Sequence, residues 1–227
     1  MALLLGVLVV VLMRTGGVGL GTVLGLAAGV FVLALVGLVL GLWGLVHDSA
    51  NRRRAVLAII LAMVVGFVPA RAVVRGLDVP PIHDISTDLA EPPEFVTART
   101  MRGPADHEVV NTITPEDAAL QMEGYPDLSP LFISRHPGIV FDAALETLAD
   151  MELKIIATEP SRGSIEAVAI TPIMGFKDDV VVRVREGDNG EAIVDIRSAS
   201  RQGESDLGTN ARRIRDIFAA LTMRLGT

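Results

Sequence analysis

Between Val18 and Val46 the chain runs for 29 residues without a charge. A helix of that length is roughly 43 Å long, more than the ~30 Å hydrocarbon core of a bilayer. It spans with room for tilt. A second uncharged run, Ala55 to Ala70, reaches about 30 Å if the helix continues toward Arg75 while Arg71 snorkels to the headgroups. The predicted spans are therefore residues 18–46 and 55–75. The apolar stretch 2–13 is too short to cross alone. It reads as a tilted partial span, or as part of a segment whose start was assigned too late. A cleaved signal peptide is the competing reading, but Arg14 and Gly16-Gly17 stand where a small-x-small site belongs. A string of that form, Ala70-Arg71-Ala72, lies near the end of the second predicted span, but cleavage is not expected after a helical hairpin.

After Pro80 the pattern changes. Nine of the twelve prolines fall between Pro80 and Pro137, which predicts an extended, turn-rich connection over 79–135. One short helix is expected there, near 115–122, because Thr114-Pro115-Glu116-Asp117 combines a cap, a first-turn proline and early acids. From Pro137, Val140, Phe141, Ala144, Leu145, Leu148 and Met151 recur at helical spacing. Alternation with period two follows at Leu153 to Ala157, Ile165 to Ala169, Val180 to Val184 and Ala192 to Ile196. A last amphipathic helix carries Ala211, Ile214, Ile217, Phe218, Leu221 and Leu225 on one stripe. Ser205, Asp206 and Thr209 compete to cap it. The predicted fold class is α+β: N-terminal transmembrane helices, then over 136–227 a compact domain of helix, four-stranded antiparallel sheet, helix. Both helices are expected on one face of the sheet.

The turn Gly187-Asp188-Asn189-Gly190 also predicts a register. With a three-residue loop and a left-handed Gly190, Val184 faces Val194, Val182 faces Ile196 and Arg183 lies opposite Asp195. A two-residue Asn189-Gly190 turn would set Arg183 against Ile196 instead.

Composition narrows the function classes. Without cysteine a disulfide-stapled domain is excluded, and 50% hydrophobic content excludes a disordered chain. The net charge of -7 argues against nucleic acid as a partner. That charge is unevenly placed: residues 1–78 carry six Arg and two Asp, whereas 79–135 carry three Arg and ten acids. Arg52, Arg53 and Arg54 lie between the two predicted spans, so the positive-inside bias puts that loop in the cytoplasm and everything after about Arg75 on the other side. Small residues recur at every fourth position, Gly17, Gly21, Gly25 and Gly29, then Gly37 and Gly41, answered by Ala58, Ala62, Gly66 and Ala70. Such spacing lets helices approach closely. It serves either an assembly face or, the reading favoured here, packing within the hairpin.

Two strings carry a family resemblance. Pro80 to Asp88 (PPIHDISTD), followed by Pro92-Pro93, and the run from Gly175 to Arg215 (GFKDDVVVRV to NARRIR) resemble the bacterial and plastid family known as domain of unknown function fourteen-ninety-nine. The likeness covers roughly 79–225, and members with N-terminal membrane spans resemble the whole chain. It implies the domain, and no reaction, cofactor or substrate.

The candidate site lies where alternation gives way to polar residues before the last helix, over Arg197 to Asp206. A strand end feeding a helix N-terminus offers free N–H groups to an anion, and Arg197, Ser200, Arg201, Ser205, Asp206 and Arg213 would line it, with His83 and Asp84. The bland alternative, which is favoured, is an internal network in which Arg197, Arg201 and Arg213 pair with Asp178, Asp179, Asp195 and Asp206. Of the arginines, Arg197 should be structural and Arg201 the more exposed. His83, His107 and His136 lack the spacing of a zinc site, and Gly203 to Leu207 lacks the closing glycine of a nucleophile elbow. No catalytic residue, metal or cofactor is expected. The sequence thus points to a membrane-anchored envelope protein of the bacterial inner membrane, its domain on the periplasmic side, binding a membrane or envelope protein partner as a non-enzymatic assembly module. The alternative is an enzyme or small-ligand binder acting on an anionic envelope component.

Overall fold

The computed structural model describes residues 2–15, 19–47, 49–172 and 174–227. It divides into two compact units, Met1–Asp78 with Ile173–Gly175, and Val79–Pro172 with Phe176–Thr227.

In the first unit α1 covers Ala2–Thr15, α2 Leu20–His47 and α3 Arg52–Leu77. Among the described residues one helix, Gly21–His47, is long and apolar enough to cross a membrane, and a signal sequence near an N-terminus would pass the same test. Two spans were expected. The second, α3, carries five arginines in its 26 residues, three of them in the first turn, and its uncharged centre is correspondingly short. Helices α2 and α3 meet through small residues. A Cβ on Gly41 would lie 2.7 Å from Ile59 Cγ1 and 3.1 Å from Ala55 O, so only glycine fits there. Gly37 faces Ala62, and Gly66 faces Ala34. Hairpin packing therefore accounts for that half of the small-residue spacing. Gly21, Gly25 and Gly29 have open space beside them, and Gly17 lies outside the described residues.

The second unit is α+β and its sheet has six strands. These are β1 (Asp84–Ser86), β2 (Leu131–Ile133), β3 (Lys154–Glu159), β4 (Ser164–Ile170), β5 (Lys177–Glu186) and β6 (Ala192–Ser200). All pairs are antiparallel, in the order β1-β6-β5-β4-β3, with β2 also beside β6. Four strands were expected; β1 and β2 come from the proline-rich segment, where three residues are too few to show alternation. They cover opposite ends of the outer edge of β6, pairing with 197–199 and 192–194. An edge left open there would offer unpaired backbone groups to another chain. The β5–β6 register is the three-residue-loop one: Val184 opposite Val194, Val182 opposite Ile196, Arg183 opposite Asp195. Gly190 has φ 81°.

The main helices are α5 (Pro115–Gly124), α6 (Pro137–Asp150) and α7 (Thr209–Leu225), with a single turn α4 at Thr97–Thr100. Their starts follow from local chemistry. Thr114 Oγ1 accepts from Asp117 N at the head of α5, and His136 Nδ1 accepts from Gly138 N at the head of α6. The apolar stripes of α6 and α7 pack on one sheet face, burying Val140, Leu148, Ile214, Ile217 and Leu221 against Ile165, Val180, Val182, Val194 and Ile196. That face holds the main core.

The opposite face is not left to solvent. Residues 88–111, expected to be connection, cross it as a strap and bury Phe95, Ala98 and Val109 against Val181 and Ala199. The strap is tied down by Glu166 of β4, which is buried and whose carboxylate accepts from the N–H groups of Val96, Thr97 and Ala98 at 3.1, 2.9 and 2.8 Å. Covering this face explains why β6 continues to Ser200, beyond the point where apolar alternation stops. Its polar residues from Arg197 onward are buried on both faces.

Candidate functional site

The residues singled out in the sequence converge at one end of the sheet, where β1, the end of β6 and the start of α7 meet. They divide between two faces. On the strap side, Arg197 is fully buried and forks onto Asp84, with Nε to Oδ1 at 2.9 Å and Nη2 to Oδ2 at 2.7 Å. It also donates to the carbonyls of Val110 and Pro93, and its guanidinium sits 5.2 Å from the centre of the Phe95 ring. All three nitrogens of the fork thus donate to the strap or to β1. Arg201 donates to Asp179 at 2.7 and 3.1 Å, and to Met101 O at 3.2 Å. Asp179 is fully buried and also receives Arg102 Nε at 2.8 Å.

Arg201 was expected to be the more exposed arginine. It is 6% exposed, against 0% for Arg197. Strand β6 carries the chain under the strap before Arg201 is reached, and Met101 and Arg102 close over it.

On the helix side, Arg213 pairs with Asp178 at 2.6 Å and donates to Ser198 Oγ at 2.8 Å. Asn210, unsuspected from the sequence, links Ser200 Oγ and the His83 carbonyl, each at 3.0 Å. Ser205 Oγ accepts from Leu207 N at 3.2 Å. Asp206 accepts from the N–H groups of Gly208 and Asn210. For the N-terminus of α7 the sequence left two readings, free N–H groups facing an outside anion or, as favoured, an internal network, with Asp206 among the candidate caps. The chain supplies its own carboxylate, Asp206, which turns back through the left-handed Leu207 and Gly208 (φ 52° and 73°). Burial, offset in part by those two backbone hydrogen bonds, raises the Asp206 pKa above its ordinary value.

Three further groups could not be read from the sequence. Arg102 and His107 lie on the strap, where spacing carries no periodic signal; His107 stacks on His83 with ring centres 4.2 Å apart. Tyr125 is buried beside Gly208, with its pKa pushed up to about 12, chiefly by burial and then by the Asp206 charge. Its hydroxyl and Asp195 Oδ1 are the two buried side-chain polar atoms without a hydrogen-bond partner among the described residues.

Also on the strap side, a cleft of about 540 Å³ opens between the strap and strands β3 to β5. Glu91, Glu94, Glu159, Arg162 and Arg183 line it. Arg183 is committed to Asp195 and Asp88, at 2.9 and 3.1 Å, while Arg162 makes only a 3.5 Å exposed contact with Glu94.

Residues 84–221 match the family model described as "Protein of unknown function (DUF1499)". The chain belongs to the DUF1499 family. The match takes in the strap, all six strands and most of α7, which is nearly all of the second unit. Among curated proteins none matches this DUF1499 chain. Among solved structures it is similar to the crystal structure of TTHA0849 from Thermus thermophilus at 12% identity, covering 43% of this chain and 94% of that one, with a TM-score of 0.28.

Proposed function

We propose that this DUF1499 protein is a membrane-anchored, non-enzymatic module that holds its α+β unit on the periplasmic side of a bacterial inner membrane, where it binds a membrane or envelope protein partner and supports assembly of a complex. The observation that carries the anchor is Gly21–His47, an uncharged helix of spanning length followed by Arg52, Arg53 and Arg54. In this reading α3 crosses as well, and the arginine turn stays in the cytoplasm. Arg197, Arg201 and Arg213 are each paired with a carboxylate of the same chain, which favours a scaffold over a reactive site. Reporter fusions test the topology. A periplasm-dependent phosphatase fused after Leu225 should be active and one fused after Ala50 inactive; the reverse pattern overturns the placement.

A second reading, an enzyme or small-ligand binder acting on an anionic envelope component, draws on the cleft and its weakly engaged Arg162. Purification in mild detergent separates the two. Stoichiometric protein partners support the module, and a single species carrying bound lipid supports the binder.

A further inference from the structure

The strap is fastened at one end by the only stacked ring pair in the second unit among the described residues. His107 is held on both sides of its backbone: its N–H donates to Arg201 O at 2.7 Å, and its carbonyl accepts from Arg102 Nη1 at 2.9 Å. Its ring Nε2 lies 3.1 Å from Gly203 O. A carbonyl oxygen only accepts, so Nε2 carries the hydrogen. The other face of the stack is His83, whose carbonyl accepts from Ser200 N at 2.8 Å and Asn210 Nδ2 at 3.0 Å. The two imidazoles, 4.2 Å apart and inclined by 26°, thus join the strap to the end of the sheet.

Charges of both signs lie around this stack. Arg102 comes from the strap and Arg201 from the turn after β6. Each nearby carboxylate is already engaged: Asp84 of β1 by Arg197, Asp179 of β5 by both Arg102 and Arg201, Asp106 of the strap by Gly103 N and Gln202, and Asp117 of α5 by the Thr114 cap. An imidazolium at His83 would be poorly solvated in this half-buried site.

We propose that the His83–His107 stack is an acid-sensitive latch: when the His83 imidazole takes up a proton, residues 101–111 come away from the sheet and uncover Arg201 and Asp179. Such release would change the surface offered to a partner as the medium acidifies. The latch rests on contacts within the second unit and stands whether or not that unit lies in the periplasm.

The direction of titration agrees. Burial, with His107 as the next cause, holds the His83 pKa below 6.5, outweighing Asp84 and Asp117. A histidine with a lowered folded-state pKa is protonated more readily in the opened state. Its contribution is complete above 6.5 and is lost as pH falls from there to the folded-state value.

Hydrogen exchange of the full chain in mild detergent, corrected for intrinsic rate and compared at about pH 7.5 and about pH 5.5, tests this. Peptides covering 101–111 should open about tenfold more for each pH unit inside the window, while peptides covering 180–184 stay protected at both. His83→Phe keeps a flat ring in the stack and takes no proton, so its strap should hold at the lower pH. Equal strap protection at both pH values overturns the latch. So does simultaneous loss at 180–184, which is global acid unfolding, or an unchanged acid response in His83→Phe.

Discussion

Asp179→Ala is expected to destabilise the second unit by about 3 to 5 kcal/mol, the range seen when one partner of a buried ion pair is removed. The Asp179 side chain is fully buried and receives two guanidiniums, Arg102 and Arg201, whose side chains are only 6% and 8% exposed. Without it, two positive groups face each other under the strap with backbone carbonyls as their remaining acceptors. A loss of that size is a large part of the ~5 to 15 kcal/mol by which ordinary domains are stable. Arg201→Ala should cost less, about 1 to 3 kcal/mol, because Asp179 keeps Arg102. The comparison also separates structure from binding. An arginine gathered for an outside anion repels its neighbours in the empty protein, and its removal leaves melting unchanged or raised. Thermal melting of the full chain in mild detergent decides between them. Melting of Asp179→Ala at the wild-type temperature would show that these ion pairs do not hold the strap.

Gly163→Ala should be as damaging for a different reason. Gly163 follows a turn of 3₁₀ helix at Pro160–Arg162 and has φ 62°. A side chain in that region costs about 1 to 2 kcal/mol by itself. In addition, a Cβ there would lie 1.9 Å from the backbone oxygen of Val184. Main chain cannot rotate aside as a side chain can, so the β4–β5 ladder must shift, and the total should exceed roughly 4 kcal/mol. Gly190→Ala is the control. Its φ is also positive, at 81°, but the nearest atom to its Cβ is 3.9 Å away, so it should lose only the conformational part. Melting the two variants side by side isolates the clash, and similar losses for both would refute it.

The sequence by itself determined the elements that depend on near neighbours. The stripe of Ala211, Ile214, Ile217 and Leu221 determined α7, because residues three and four apart share a helix face. The Thr114 and Pro137 signals placed α5 and α6, since a helix start is satisfied by groups within one turn. Gly190 specified the β5–β6 register, because a tight loop and its two flanking strands form one local unit. The apolar run to His47 is likewise a property of composition alone.

Tertiary structure decided what lies on the far face of the sheet. Val181, Arg183, Asp195 and Arg197 read as the solvent side of alternating strands, yet the strap buries or half-buries them. The contacts that bring it there link residues far apart: Glu166 with 96–98, Arg102 with Asp179, and Arg197 with Asp84 across 113 positions. Short strands such as β1 and β2 are likewise defined by partners more than 50 residues away. No period in the chain encodes such pairings. They form because a buried guanidinium or carboxylate must find a counter-charge, and only the folded chain determines which one is within reach. That is why the arginines were legible as a group, while Arg102, His107 and the burial of Arg201 were not.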